Sequence, residues 1–440
     1  GGGGGGGGAT RVSGGGDDAA GGDAVTGGAV GAGGEGAMGG ASASGGELGS
    51  GGDGAAGAPA SECVDCAWEV KQVRGGTTLA DGQLVLTWAN LSVIRDEPLV
   101  LTTTTLDATG QIVANVAREP VSDGWVEAMG YAPNGTLAFA MPSAQFGLGH
   151  ARDPALTLTT IDPAGADIGV TTHVAWDGEA FTIDLRDGGT LLTTRRSPDG
   201  ELLLAPVEFG VMGALSYVGY DLGYKSSTNP VSGRTFAFSA DTGRTLAGHE
   251  RSGERIAWIP ESGALDLPAP PCDGSDGWGV VCEAGAGLPA VAADPEGGVW
   301  LAWSQSTVRT PAVIGGVQHY DAEGNAGPFL WFRTPEGDRG GMDTSALFAY
   351  SSSRALLVAS SGSALYAFEV DGDEVSEARV VTTHVPEPTA IEGYRELELL
   401  SDGGDLTWLV FEQDQRIRSL RIAPGCVYPP DPAPESIVEW

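Results

Sequence analysis

The sequence predicts an all-β repeat fold, a β-propeller of about seven blades behind a glycine-rich disordered tail, on three observations. A turn residue and a glycine followed by alternating apolar positions recurs along the chain. A second pattern, a strand ending in Asp-x-x-Gly, recurs among the copies of the first. Helical periodicity is nearly absent, with 391–400 a brief exception too short to hold a helix.

Residues 1–60 hold 28 of the 72 glycines and no Phe, Trp or Tyr. Glycine loses the most backbone freedom on ordering, and a segment without large apolar side chains buries little in return. Residues 1–61 therefore read as a disordered tether. Proline is almost absent and glycine keeps no three-residue period, which excludes collagen. Gly31-Ala-Gly33-Gly-Glu-Gly36 matches the dinucleotide fingerprint as a string, without the strand before it or the helix after it that the chemistry needs.

The first repeat appears at Asp81-Gly82, Asn134-Gly135, Asp177-Gly178, Glu296-Gly297 and Gly403-Gly404, each opening a run such as Gln-Leu-Val-Leu-Thr-Trp88. Asn-Gly and Asp-Gly supply the positive φ of tight hairpins, and the runs have strand length and β-branched or aromatic character. The second repeat appears at Leu101–Gly110, Leu156–Gly165, Val317–Gly324 and Phe236–Gly243. Its aspartates Asp107, Asp162, Asp321 and Asp241 read as turn caps rather than calcium or catalytic carboxylates. Asp371-Gly-Asp373-Glu374 reads the same way.

Copies start near residues 81, 134, 177, 199–233, 297, 354 and 404, giving seven blades; the irregular stretch 244–290 leaves six or eight compatible. The folded domain is expected over 62–428, with a Pro-rich tail at 429–440. Its length exceeds the roughly 250–300 residues at which a single core stops growing, which favours repetition over one core. Closure of the ring is expected from Ala67–Val73 pairing beside Arg416–Ile422.

At this point the chain resembles bacterial secreted β-propeller repeat proteins over roughly residues 67–425. The resemblance implies the fold and carries over no functional residue. The first sixty residues resemble the tether of secreted bacterial lipoproteins, which implies a lipid anchor upstream of residue 1. With no initiator Met and no signal peptide, the sequence reads as a mature or trimmed form.

Five cysteines, Cys63, Cys66, Cys272, Cys282 and Cys426, lack zinc-knuckle spacing, and Cys66 leads into a strand rather than a redox helix. They read as structural disulfides: Cys272 with Cys282, and Cys426 with Cys63 or Cys66, leaving one thiol over. The alternative pairs Cys63 with Cys66 and leaves Cys426 free. Either pairing implies an oxidising compartment, hence a secreted or outer-surface location with the periplasm included.

Net charge is −35, of which residues 1–60 contribute six acids and one arginine, leaving −30 on the remainder. Repulsion disfavours nucleic acid and anionic membranes as partners. No apolar run approaches the ~20 residues of a membrane span. Two lysines, Lys71 and Lys225, against 21 arginines read as GC-rich bacterial codon bias. The nucleophile elbow, H-E-x-x-H, the phosphate loop and the EF-hand are all missing. His150, His173, His249, His319 and His384 are scattered one per region, although a ring can bring distant residues together at its axis.

Trp88, Trp300, Trp303 and Trp408 are expected in packing between sheets, whereas Trp125, Trp278 and Trp331 fall nearer turns and could stack on a ligand. No catalytic, metal or cofactor residue is singled out. The expectation is a monomeric, tethered binding or scaffold module for a protein or glycan. A carboxylate- or metal-dependent hydrolase or lyase at the axis, and a structural surface protein, are the alternatives.

Overall fold

A computed structural model of the chain describes residues between 65 and 422, all within the unit Ala58–Trp440. Outside the described residues lie 1–64, 423–440 and segments between strands, chiefly 90–100, 119–125, 162–169, 212–223, 269–288, 306–313, 335–344 and 384–394.

The described residues form seven antiparallel sheets. The first strand, β1 (Asp65–Glu69), belongs to the last sheet. Sheet I holds β2 (Val73–Thr78), β3 (Leu84–Ala89), β4 (Leu101–Leu106) and β5 (Ile112–Arg118) in that order. Sheet II holds β6 (Ala128–Tyr131), β7 (Thr136–Met141), β8 (Gln145–His150) and β9 (Asp153–Thr160). Sheet III holds β10 (Val170–Trp176), β11 (Phe181–Asp187), β12 (Thr190–Arg196) and β13 (Leu202–Val211). Sheet IV has three strands, β14 (Tyr224–Thr228), β15 (Thr235–Ser239) and β16 (Thr245–His249).

Sheet V holds β17 (Pro289–Ala293), β18 (Val299–Gln305), β19 (Ile314–Tyr320) and β20 (Ala326–Arg333). Sheet VI holds β21 (Ser345–Ala349), β22 (Arg354–Ser361) and β23 (Ala364–Asp371), whose outer edge is shared by β24 (Glu374–Val375) and β25 (Arg379–Thr383). Sheet VII runs β26 (Arg395–Ser401), β27 (Thr407–Gln413), β28 (Arg416–Ile422) and then β1.

The first strands β2, β6, β10, β14, β17, β21 and β26 touch in that order, and β26 returns to β2. This closed circuit is a multi-bladed, propeller-like arrangement. Close approach at its inner edge requires glycine: a Cβ on Gly130 in β6 would sit 2.5 Å from the Val174 carbonyl oxygen of β10. Each apolar core fills the gap between two neighbouring sheets rather than the inside of one. Leu137 and Phe139 of sheet II pack with Val85 and Leu101 of sheet I, and Trp300 and Val317 of sheet V pack with Leu357 and Phe368 of sheet VI.

The predicted hairpins hold. Gly82, Gly135, Gly178 and Gly297 all have positive φ, and each sits between the first and second strands of its sheet. Asp107 accepts from Gln111 N, and Asp321 accepts from Glu323 N and Asn325 N, both in turns between third and fourth strands. Hydrogen bonds from the Asn325 side chain and backbone hold the Asp321 carboxyl below the usual carboxylate range. Asp371-Gly372 is the expected hairpin, joining β23 to β24.

Three expectations need correction. The Leu156–Gly165 copy of the second repeat falls on a fourth strand and the Phe236–Gly243 copy on a second strand, so this pattern does not mark one strand position. The closing strand pairs with β28 as expected, but two residues earlier in the chain, with Asp65 opposite Leu420 and Glu69 opposite Arg416. Among the described residues no disulfide is formed, which corrects the disulfide-stapled description of the domain. Strand pairing closes the ring instead; Cys66 lies in β1, while Cys63, Cys272, Cys282 and Cys426 lie outside the described residues.

Candidate functional site

The chemistry-bearing side chains gather in the gap between sheets III and IV. A register shift between Thr171 and His173 in β10 sets His173 directly across from Asp184 of β11. Such bulges redirect a side chain without breaking the sheet. Asp184 is fully buried, and its Oδ1 lies 3.0 Å from Nε2 of His249, which enters from β16 of the next sheet and is 1% exposed. His249 Nδ1 lies 3.0 Å from the Glu250 carbonyl oxygen, and Phe209 meets the ring edge-on at 4.6 Å. His173 Nε2 lies 2.9 Å from Thr228 Oγ1 of β14, itself 2.9 Å from Thr235 Oγ1 of β15. Two imidazoles thus flank one carboxylate, each linking sheet III to sheet IV.

The two imidazoles are held differently. Burial pulls His173 below the ordinary imidazole value, outweighing the opposing pull of Asp184. Burial also acts downward on His249, but the Asp184 charge and hydrogen bond, the Glu250 carbonyl and the more distant Asp177 prevail and raise it. The cluster can hold and exchange protons.

A second pair lies between β17 and β19: His319 Nε2 is 2.6 Å from Asp294 Oδ2, whose other oxygen accepts from Gly298 N at 2.8 Å. Asp294 therefore caps a hairpin and anchors a histidine at once. His150 lies at an exposed turn with Nε2 3.0 Å from the Asn134 carbonyl oxygen, and His384 lies outside the described residues. Among the described residues no group of three His, Cys, Asp or Glu has the geometry to hold a metal.

Arginines fasten the gaps from sheet I to sheet V. Fully buried Arg118 of sheet I donates to Thr103 Oγ1 at 2.5 Å and to the His150 carbonyl oxygen of sheet II at 2.6 Å. Arg196 of sheet III donates to the Thr160 and Ile161 carbonyls beyond β9. Arg251 donates to the Asp177 carbonyl, and Arg234 to the Gly297 and Ala322 carbonyls of sheet V. A guanidinium offers five donors in a rigid fork, which an ammonium cannot reproduce. The arginine excess read as codon bias therefore has a structural use at these positions. Burial lowers the Arg118 pKa, opposed by nearby Tyr131 and Asp153.

Trp300 and Trp303 are buried between sheets as expected, and Trp300 Nε1 donates to the Ser351 carbonyl of sheet VI at 2.9 Å. Trp88 and Trp408 lie on β3 and β27, with side chains outside the described residues. Trp331 lies on β20 rather than at a turn, half-buried with its ring centroid 4.4 Å from that of Phe329; Trp125 and Trp278 lie outside the described residues. Sequence reasoning left Asp184 and the seam arginines unmarked, because their role arises from neighbours 32 to 88 residues away.

No known family model matches the chain, and no curated protein is similar to it in sequence. Among solved structures, the β-propeller domain of Myceliophteria thermophila Cps50 (Swd1) is 10% identical, with a TM-score of 0.47 over 81% of this chain and 97% of that one. YCF48 bound to D1 peptide is 12% identical, with a TM-score of 0.46 over 82% and 95%. The polysaccharide lyase Uly1 is 9% identical, with a TM-score of 0.45 over 81% and 90%.

Proposed function

We propose that the domain is a seven-bladed β-propeller serving as a binding or scaffold module, displayed outside the cell, with a protein or glycan as its ligand. One observation carries this reading. Among the described residues the short turns, first-to-second and third-to-fourth strand, leave from one end, as at Gly135, Gly178, Gly200, Gly297, Gly324 and Gly372. The strand order sends second-to-third strand connections and those between sheets to the other end. The longest of these are 90–100 within sheet I and 212–223, 269–288, 335–344 and 384–394 between sheets, whereas other second-to-third turns, such as that joining β11 to β12, are short. A rigid scaffold whose longest connections start from strand ends on one side is suited to recognition. The polar clusters, by contrast, lie between sheets and carry out packing. The glycine-rich composition of 1–60 and the −35 charge support display on a tether in a solvated setting.

A second reading, a hydrolase or lyase acting at the axis, is favoured by His173 and Thr228, which lie on innermost strands beside Asp184. One experiment separates the two. The purified chain is screened for saturable binding against polysaccharide and extracellular-protein panels. Binding should vanish when 212–223 and 335–344 are replaced by Asn-Gly turns, and persist in Asn134→Ala and Asp321→Ala. Turnover in a hydrolase and lyase panel that disappears in His173→Ala or Thr228→Ala would overturn the binding reading.

A further inference from the structure

The gap between sheets III and IV differs from the other gaps. Its apolar cluster among the described residues is Leu191, Phe209, Ala237 and Ala247, against ten or more residues between sheets II and III and between IV and V. The space that apolar side chains fill elsewhere is given to His173, Asp184, His249, Thr228 and Thr235. Sheet IV also has only three strands, its outer edge met by isolated bridges at Ala264 and Arg255. Cohesion here depends on the polar cluster more than at the two neighbouring gaps, II–III and IV–V.

We propose that this seam is a proton-operated contact: Asp184 is shared by His173 and His249, and the seam is tightest when the two imidazoles together carry one charge, loosening when they carry none or two. The proposal is independent of what the domain binds. The geometry around His249 requires the single charge. Both ring nitrogens face acceptors, the Asp184 carboxylate and the Glu250 carbonyl, so both must carry hydrogen. Removing one proton sets a nitrogen lone pair against an oxygen and leaves a buried carboxylate uncompensated. Asp184 Oδ2 accepts no hydrogen bond, so the anion has no second source of stabilisation. His173 meets only the Thr228 hydroxyl, which serves a neutral ring as donor or acceptor. A second proton there would place two cations against one carboxylate.

Other groups at the seam are engaged elsewhere. Asp177 pairs with Arg195 at 2.7 Å, Glu179 with Arg251 at 3.3 Å, and Glu250 with Arg234 at 2.9 Å. From β12 the residue across from Asp184 is Thr193, β13 presents Phe209, and β14 and β15 present Thr228 and Thr235. The directions of the two histidines agree. His249, raised, contributes stability that is full below the ordinary imidazole value of 6.5 and is lost as pH rises through its folded value. His173, lowered, contributes nothing adverse above 6.5 and destabilises progressively as pH falls from there toward its folded value. Stability from the pair therefore peaks near 6.5 and falls on both sides, with a slope of at most about tenfold in the unfolding constant per pH unit for each proton.

The test uses the full chain. Imidazole carbon resonances in the wild type should show one histidine titrating above 6.5 and another below, the first reassigned by loss in His249→Gln and the second in His173→Gln. Unfolding constants measured from pH 5 to 9 should lose their alkaline slope in His249→Gln and their acid slope in His173→Gln, relative to wild type. All five histidines titrating near 6.5, or difference curves flat with pH for both variants, would overturn the proposal. The wild-type titration decides the matter even if a variant fails to fold.

Discussion

At the residue scale, single atoms decide which turns tolerate change. Gly178 has φ +98°, and a Cβ there would fall 2.0 Å from the Pro230 carbonyl oxygen of the next sheet. Gly188 has φ +60° with nothing within 4 Å. Gly178→Ala should therefore cost more than about 3 kcal/mol and Gly188→Ala about 1 kcal/mol in urea unfolding, a difference set by the clash rather than by backbone strain alone. Arg118 makes the same point for donors. Its terminal nitrogens serve Thr103 and the His150 carbonyl together, so Arg118→Lys should lose about 2 kcal/mol despite keeping the charge, read in the same unfolding experiment.

At the element scale, the turn chemistry made the strands legible in the sequence. Predicted starts near 134, 177, 297, 354 and 404 fall within a few residues of second strands β7, β11, β18, β22 and β27. Asn-Gly and Asp-Gly fix local φ, and local φ can be read from two adjacent residues. The second repeat was less reliable, since its copies fall on second, third and fourth strands, as β15, β4 and β9 show. The seam cluster was not legible at all. His173, Asp184 and His249 lie on separate elements, and only a bulge in β10 and the stacking of sheets III and IV bring them together. The closing strand gives the test at this scale. A chain beginning at residue 58 should keep the melting temperature of the full chain. One beginning at residue 72 lacks β1, exposes the outer edge of β28, and should melt lower or in two steps by calorimetry.

At the scale of the whole molecule, a net charge of −35 acts against compactness. The screening length shortens from about 30 Å at 0.01 M salt to about 8 Å at 0.15 M, so repulsion across the ring fades over that range. The unfolding midpoint should therefore rise with sodium chloride between these concentrations, and a flat or falling midpoint would show that short-range pairs such as Arg195–Asp177 dominate instead.

Sheet VII is assembled from β1, near the start of the chain, and β26, β27 and β28, near its end. During synthesis β1 emerges some 350 residues before its partner β28. At translation rates of 5–20 residues per second, β1 waits on the order of half a minute for that partner. A nascent chain interrupted anywhere before β28 leaves two unpaired strand edges facing each other across an open ring. Closure of the circuit thus waits for β28, and a chain interrupted before it leaves exposed the strand edges that the finished sheet pairs.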